Sequence, residues 1–368
     1  MEGNPMSNSL NSNKSDWRNE AGPIKNLLID STVSEIMINR FDRIFIERRG
    51  IIEETDIKFE SMEMLLRLTQ AIAVATAKEL NRRNPCIDAR LPDGSRINIV
   101  IPPVALDGPA VTIRKFSPGG LSYSDLLNSH SVDEKIIYFL KQAVRARQNM
   151  IVSGGTGSGK TTLLNVLSSL ISQSERIITI EDTAELKLAS KNIVRMESRI
   201  PLGNEPAVEL KDLIKNALRM RPDRLIIGEC RGPEAWDMLQ AMNTGHDGSL
   251  TTLHANSAPD ALRRLESMIM RAGLEMPHST VKEDIANTIN IIIQMERSSD
   301  GFRRVVEIAE IQGIENNHYI IKDLFNFHPG KGFRAQGNLP RFFEHNTNPK
   351  VKFPDGFFLP DAQFKLAA

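Results

Sequence analysis

The first third of the chain alternates apolar and polar residues in short runs. Residues 43–48 (RIFIER) repeat with a period of two, which predicts a half-buried β-strand. Residues 61–83 carry apolar residues at helical spacing, and this pattern predicts an amphipathic helix. Further strands are predicted at 35–38, 88–91, 96–100 and 112–115, with the turn signal Pro92-Asp93-Gly94 closing a hairpin. Residues 24–115 are therefore predicted to form a small α/β domain.

Strand-like and helix-like patterns alternate through a longer region, residues 134–312. The predicted strands lie at 149–153, 176–181, 192–196, 224–228, 249–253, 289–294 and 303–311. Alternation of this kind predicts a mostly parallel sheet with helices on its faces. The expected fold class is therefore α/β, with a larger domain following the smaller one.

Three segments outside these domains differ in composition. Residues 1–23 are rich in Asn, Ser and Gly, which predicts a disordered leader. Residues 116–133 contain Pro, Gly and several serines, which predicts a linker. Residues 313–368 hold nine of the fifteen phenylalanines, so we expect an irregular appendage that packs its Phe side chains on a neighbour.

The overall composition narrows the class of protein. With 46 basic and 46 acidic residues in 368, the charge is balanced, which argues against general attraction to nucleic acid or to an anionic membrane. No apolar run approaches the roughly 18 residues that span a bilayer, so we predict no transmembrane segment and a cytoplasmic location. Cys86 and Cys230 make neither a disulfide framework nor a metal-binding spacing, and both are predicted to be small buried residues.

The strongest chemical signal is the stretch GGTGSGKT at 154–161, which has the spacing G-x-x-x-x-G-K-[ST] of a phosphate-binding P-loop. Its glycines allow backbone N–H groups to close around phosphate oxygens, Lys160 reaches the β- and γ-phosphates, and the Thr161 hydroxyl can ligate Mg²⁺. An apolar run precedes the loop and helix formers follow it, an order that puts a helix N-terminus at the phosphates. The predicted nucleotide-binding residues are Gly154, Gly155, Thr156, Gly157, Ser158, Gly159, Lys160, Thr161 and Thr162.

Carboxylates end two of the predicted strands. Because the carboxyl ends of parallel strands line the crevice where ligands bind, Glu229 is the first choice for a catalytic base. Glu181 and Asp182 are candidates for holding water or Mg²⁺. P-loop enzymes usually carry an Asp where this chain has Gly228, so magnesium must depend on Thr161 and the phosphates, with Glu181 or Asp182 as further candidate ligands.

Two histidines bracket a Gly-rich turn and a Thr-rich strand. His246 and His254 are candidates for sensing a γ-phosphate, because the protonation of imidazole is easily tuned. Zinc binding is not expected, since no third and fourth ligand lie nearby at a suitable spacing.

Arginine side chains carry a planar, forked guanidinium group that fits phosphate, and they can come from the same or a neighbouring subunit. The candidates are Arg90, Arg96 and Arg114 in the smaller domain and Arg195, Arg219, Arg221 and Arg231 in the larger one.

Taken together, four motifs resemble those of the type II/type IV secretion ATPase superfamily. They are 154–161, 180–182 (IED), 225–229 (LIIGE) and 244–256 (TGHDGSLTTLHAN), which correspond to its Walker A, Asp box, Walker B and His box. Glycine before Glu229 matches this superfamily. Within it, the stretches 88–96, 101–103 and 112–116 look most like the CpaF branch, the assembly ATPases of tight-adherence (Flp) pili.

This resemblance implies a RecA-like ATPase domain behind a PAS-like N-terminal domain, in a homohexamer with ATP and Mg²⁺ at each subunit interface. It implies Lys160 and Thr161 at the phosphates and Mg²⁺, Glu229 as the base, and Glu181 as a water or metal contact. His246 or His254 would sense the γ-phosphate, and Arg90, Arg96 and Arg114 would reach a nucleotide across the interface or the linker.

The resemblance also implies a motor. Domain closure over ATP, with Gly119-Gly120 as the hinge, would move an inner-membrane platform protein that adds or extracts pilin subunits, and the ATPase would sit at the cytoplasmic side of that membrane. Two alternatives stay open. One is a nucleic-acid translocase on the same core, against which the even charge argues. The other is a nucleotide-gated scaffold without useful turnover.

Overall fold

The computed structural model describes residues 16–48, 50–116, 122–199, 201, 205–273, 275–298, 301–345, 348–360, 362 and 364. The chain divides into two units, residues 1–119 and residues 120–368. The predicted hinge, Gly119-Gly120, lies outside the described residues. Within the described part of the chain, no helix is long and apolar enough to span a bilayer.

The N-terminal unit is a six-stranded antiparallel sheet with one long helix. Its elements are α1 (Lys25–Ile29), β1 (Val33–Arg40), β2 (Arg43–Arg48), β3 (Ile51–Glu54), α2 (Met62–Ala75), β4 (Cys86–Arg90), β5 (Arg96–Val100) and β6 (Ala110–Arg114). The strand order is β3-β2-β1-β6-β5-β4, and every neighbouring pair is antiparallel. Leu65, Leu68 and Ile72 of α2 pack on the inner residues of β1, such as Ile36 and Ile38.

Helix α2 is shorter than the predicted 61–83. The Ser61 hydroxyl caps it by accepting the Met64 N–H at 3.3 Å, and the helix ends before Ala77, whose φ of 53° is left-handed. All four residues of strand β3 are exposed, and its sequence does not alternate apolar and polar residues. The period-two pattern therefore does not predict this strand. Cys230 is buried as predicted, but Cys86 lies on the outer face of β4 and is exposed.

The predicted disordered leader, residues 1–23, is wrong at its C-terminal end. Residues 17–19 and 22–24 form 3₁₀ turns, and Trp17 is only 2% exposed in the core of the N-terminal unit, together with Ala21 and Ile24. A tryptophan buries about 150–250 Å², which stabilises a short segment despite its polar surroundings. Residues 1–15 lie outside the described part of the chain.

The second unit is built on a nine-stranded sheet in the order β15-β14-β13-β12-β7-β11-β10-β8-β9. The elements are α3 (Tyr123–Asn128), α4 (Glu134–Arg145), β7 (Met150–Gly154), α5 (Lys160–Ser169), β8 (Ile177–Glu181), β9 (Ile193–Glu197), α6 (Leu210–Ala217), β10 (Arg224–Ile227), α7 (Glu234–Asn243), β11 (Leu250–Leu253), α8 (Ala258–Met270), α9 (His278–Thr288), β12 (Ile291–Arg297), β13 (Arg303–Glu315), β14 (His318–His328), β15 (Gly332–Ala335) and α10 (Arg341–Glu344).

All seven strands predicted between residues 149 and 311 occur. The six strands from β12 to β9 are parallel, and β13, β14 and β15 extend the sheet in antiparallel pairs. Apolar residues of α4 and α5 pack on one face of the sheet, and those of α6 to α9 pack on the other. The mostly parallel α/β sheet with helices on both faces is therefore confirmed.

Two predicted boundaries of this unit need correction. The predicted linker, 116–133, is ordered from residue 122, because Ser122 and Asp125 form a capping box at the start of α3 and Leu126 is buried in the core. The predicted irregular appendage from 313 begins inside β13 and continues as β14 and β15. Residues 318–328 alternate apolar and polar side chains over part of their length, and this alternation is the signal for β14.

The phenylalanines of the C-terminal segment pack on their own unit. Phe139 of α4 is part of this cluster, with its ring centroid 5.1 Å from that of Phe325 and 6.1 Å from that of Phe353. Phe325, Phe357 and Phe358 are buried. The expected neighbour is therefore helix α4, and the segment completes one face of the second unit's core.

Candidate functional site

The P-loop lies between the end of β7 and the start of α5. Gly157 and Gly159 have φ values of 68° and 97°, a left-handed conformation that favours glycine. A Cβ atom on Gly154 would collide with the carbonyl oxygen of Met295 on β12. Glycine is thus required at these positions by the path of the backbone, and the resulting loop leads directly into the N-terminus of α5.

Lys160 is buried in the loop that it follows. Its Nζ atom donates to the carbonyl oxygens of Gly154 at 3.0 Å and Gly155 at 2.8 Å. The ammonium group is thereby held over the loop, in the position from which it can reach phosphate oxygens. Thr161 lies in the first turn of α5, beside Lys160.

Glu229, His254 and Arg231 meet at the carboxyl ends of the adjacent strands β10 and β11. Glu229 Oε1 lies 2.8 Å from His254 Nε2, and Glu229 Oε2 accepts a hydrogen bond from Arg231 Nη2 at 2.6 Å. His254 Nε2 is also 3.5 Å from Lys160 Nζ. The structure therefore brings together four of the predicted residues: the P-loop lysine, one of the two histidines, the candidate base and one arginine.

The electrostatic surroundings of His254 favour its neutral form. Burial is the largest cause of a lowered pKa for this imidazole, and Lys160, Arg231 and Arg264 lower it further, while Glu229 opposes them. Glu229 Oε1 is buried without a hydrogen-bond partner, so its 2.8 Å approach to His254 Nε2 is a close polar contact and not an aligned hydrogen bond.

Glu181 lies at the end of β8, next to Gly228. Its Oε2 atom accepts the backbone N–H groups of Glu185 and Leu186 at 2.7 and 2.9 Å, while its Oε1 atom is buried without a hydrogen-bond partner. Burial raises the pKa of this carboxyl group, the two amide bonds lowering it only in part. A Cβ atom on Gly228 would lie 3.0 Å from Glu181 Cγ, so the glutamate fills the space that a larger residue at 228 would need.

The three predicted Mg²⁺ ligands, Thr161, Glu181 and Asp182, lie in different surroundings. The buried, unpartnered oxygen of Glu181 fits a role toward a hydrated cation, and the Thr161 hydroxyl lies at the start of α5. Asp182 instead accepts a hydrogen bond from Ser198 Oγ at 3.2 Å, on the β9 side of the sheet. Among the described residues, no group of three or more His, Cys, Asp and Glu side chains could hold a metal ion, so Mg²⁺ here would need phosphate ligands as well.

His246 lies at the opposite edge of the parallel sheet. It precedes β11, where Ser249 N donates to the Asn149 side chain that precedes β7, and its own Nδ1 is 3.0 Å from Ala241 O. The four residues of β11 rise about 13 Å, so His254 is at the P-loop edge and His246 is not. Of the two candidate histidines, His254 therefore lies beside the P-loop, and His246 lies away from it.

Arg90, Arg96 and Arg114 form a row across β4, β5 and β6. Arg90 is opposite Arg96, and Arg96 is opposite Arg114. Directly opposite residues of antiparallel strands point to the same face, where like charges destabilise the sheet. Arg90 Nε also donates to Gly94 O at 3.2 Å, and its guanidinium lies 5.6 Å from the Phe116 ring. The row continues on β1 with Glu35, which is opposite Arg114, so this face carries a carboxylate as well as the three arginines.

The other predicted arginines are scattered. Arg195 is exposed on the edge strand β9, whereas Arg219 and Arg221 precede β10 at the edge away from the P-loop. A residue absent from the predictions, Arg303 of β13, donates from Nε to Gly157 O at 2.8 Å. No local pattern in the sequence could indicate this contact, because the partners are 146 positions apart.

The fold and this site together define a RecA-like P-loop protein with a smaller N-terminal α/β unit. A family model described as "Type II/IV secretion system protein" matches residues 18–317, and the chain belongs to this family. The predicted superfamily is thereby confirmed.

Related proteins agree with this assignment. The chain is 37% identical over 298 residues to the conjugal transfer protein TrbB of Rhizobium radiobacter, covering 79% of this chain and 88% of that protein. It is 33% identical over 322 residues to the type IV secretion system protein VirB11 of Bartonella henselae, covering 78% and 90%. The solved structure of the ATPase DotB of Yersinia pseudotuberculosis is similar with a TM-score of 0.59 at 20% identity, covering 79% and 78%, and it supports the fold.

Proposed function

We propose that this protein hydrolyses ATP to power a type IV secretion or type IV pilus machine. The observation that carries the proposal is the contact of His254 with both Glu229 and Lys160, at the edge of the sheet where the P-loop opens. A phosphate-binding loop alone would only bind nucleotide. A carboxylate held beside it supplies the group that phosphoryl transfer to water requires.

Each residue of the site has a distinct role in this reaction. Lys160 releases its two loop carbonyls to bind the β- and γ-phosphates, and the loop amides and the α5 N-terminus hold the remaining oxygens. Glu229 orients the attacking water and accepts its proton. Neutral His254 lies between the Glu229 carboxylate and Lys160, where it can contact the γ-phosphate. Bound Mg²⁺, which Thr161 and Glu181 would hold with the phosphates, supplies additional positive charge.

The proposal extends to the assembly. We infer a homohexamer in which Arg90, Arg96 and Arg114 of one subunit contribute cationic charge to the nucleotide, since the three arginines share one face of the N-terminal sheet and a guanidinium group fits phosphate. The ring acts at the cytoplasmic side of the inner membrane on a platform protein. The names of TrbB and VirB11 favour a type IV secretion machine, and the CpaF motifs favour a tight-adherence pilus.

Specific ATPase activity measured against protein concentration tests both levels of this proposal, with Lys160→Ala as the blank. Activity per subunit that rises with concentration and then saturates indicates a site completed by a neighbouring subunit. Equal rates in the unsubstituted and Lys160→Ala proteins contradict ATP hydrolysis at this site. Lys160-dependent activity in a particle that light scattering sizes as a monomer contradicts the ring but not the enzyme.

A further inference from the structure

Arg303 connects the P-loop with the antiparallel part of the nine-stranded sheet. It is the first residue of β13 and pairs with Arg297 at the end of β12, the strand that runs beside β7 and the loop. Its Nε–H donates to the carbonyl oxygen of Gly157 at 2.8 Å. A Cβ atom on Gly159 would lie 3.6 Å from Arg303 Cδ, so the arginine stem also packs along the loop.

The bond to Gly157 sets the direction of a neighbouring amide. In a trans peptide the C=O and N–H groups point in opposite directions. When Arg303 holds the Gly157 carbonyl on one side, the Ser158 N–H must point to the other side. This N–H donates to Gly155 O at 3.4 Å, which is long for a backbone hydrogen bond, so a phosphate oxygen can replace that acceptor at little cost.

The arginine is itself held in place from the side opposite the loop. Ser131 Oγ donates to the Arg303 carbonyl at 2.6 Å, and Val305 N donates to Ser131 O at 3.0 Å. Ser131 is buried and lies between α3 and α4. The main chain of Arg303 is therefore hydrogen-bonded to Ser131 near the start of this unit, and its side chain is hydrogen-bonded to the P-loop.

We propose that Arg303 is a positioning residue for the P-loop, which keeps the Gly157–Ser158 peptide turned so that its N–H faces the nucleotide phosphates. The inference rests on the proposed function of the site. The role belongs to the hydrogen-bond donor at Nε and not to the positive charge.

Three substitutions separate the donor from the charge. Gln places an amide N–H at the same number of bonds from Cα as Arg Nε, but it is neutral. Met has the same length and no donor, and Lys keeps the charge but has a methylene at the Nε position. Arg304→Met is the matched control, because Arg304 is the next residue on the strand, points to the other face and lies 4.5 Å from the Phe327 ring.

The experiment measures the Kd of the full-length protein for ADP and for ATP with Mg²⁺, by calorimetry, together with KM and kcat. Arg303→Met and Arg303→Lys are expected to raise Kd and KM about three- to tenfold, the worth of one hydrogen bond. Arg303→Gln should stay within about twofold of the unsubstituted protein, as should Arg304→Met. Thermal unfolding of each variant confirms that it is folded.

Two results overturn the inference. If Lys retains the affinity and Gln loses it, Arg303 acts by its charge; if Met has no effect, Arg303 does not position the loop. Both leave the proposed function intact, provided that nucleotide binding still depends on Lys160. Absence of Lys160-dependent binding in the unsubstituted protein contradicts the proposed function instead, and the inference with it.

Discussion

His254 Nε2 lies 2.8 Å from Glu229 Oε1, on the adjacent ends of strands β11 and β10. The same nitrogen is 3.5 Å from Lys160 Nζ, so one imidazole touches both the phosphate-binding lysine and the candidate base. A γ-phosphate approaching Lys160 must therefore come close to His254. Through His254, binding of a γ-phosphate at Lys160 can therefore affect the position of the Glu229 carboxylate.

Replacing the base tests this relationship most directly. Glu229→Gln removes the proton acceptor but keeps the shape of the side chain, so we expect kcat to fall about 10²- to 10⁴-fold, with ADP affinity little changed. His254→Gln should lower kcat more than His246→Gln does, because only His254 contacts Glu229. Steady-state kinetics of the three variants measure this order. Equal losses for the two histidine variants would contradict the assigned roles.

Glu181→Gln is expected to stabilise the protein at neutral pH while lowering Mg²⁺-dependent hydrolysis. Burial raises the pKa of Glu181, so the folded state holds this proton more tightly than the unfolded state. The glutamate's contribution to stability is present below its ordinary pKa of about 4.3 and is lost as pH rises through the raised value. The Gln side chain keeps an acceptor for Glu185 N and Leu186 N without being charged.

Urea unfolding midpoints of the two proteins between pH 4 and pH 7.5 measure the effect of this substitution. The difference in midpoint should grow in favour of Glu181→Gln as pH rises. A difference that does not depend on pH would show that ionisation of this carboxyl group is not what the substitution removes.

The sequence could predict those parts of the site that follow from the order of motifs and strands along the chain. The P-loop, and the placing of Glu229 and His254 at neighbouring strand ends, follow from strand periodicity and from the rule that parallel strands end at one edge. The same rule puts His246 at the opposite edge, since a strand of four residues separates it from His254. Spacing alone does not separate the two histidines, and the edge of the sheet that each one occupies does.

Contacts between distant parts of the chain could not be predicted in this way. Arg303 reaches Gly157 only because β12 and β13 pair beside β7, and that register is a property of the assembled sheet. Trp17 shows the same limit in the N-terminal unit. The polar composition around it indicates disorder, but one large side chain reaches the core.

A double-mutant cycle tests why residue 228 is glycine. Gly228→Ala places a Cβ atom 3.0 Å from Glu181 Cγ, and Glu181 is held by two backbone N–H groups and cannot easily move. We expect a loss of about 1–3 kcal/mol in the free energy of unfolding, as for other overpacked sites. The same substitution made in a Glu181→Ala background should cost less, because the colliding atoms are gone. Additive effects in urea unfolding would show that the crowding is not the reason.

Arg224 is expected to be far more important for stability than Arg147, although both bond Glu175. Arg224 donates to both Glu175 oxygens, at 2.8 and 3.1 Å, and to the carbonyls of Gly248 and Val144. Its side chain is 2% exposed, whereas that of Arg147 is 42% exposed. Arg224→Met leaves Glu175 with its exposed partner only and exposes two buried carbonyls to a side chain without donors, at a cost of about 3–5 kcal/mol.

Arg147→Met is the matched control for this prediction, since it removes an exposed partner of the same carboxylate and should cost less than about 1 kcal/mol. The free energies of urea unfolding of the two variants give the comparison, and salt should reduce the Arg147 effect more than the Arg224 effect because exposed charges are screened. Equal losses would mean that the buried network at this edge of the sheet is not what holds β10 against α4.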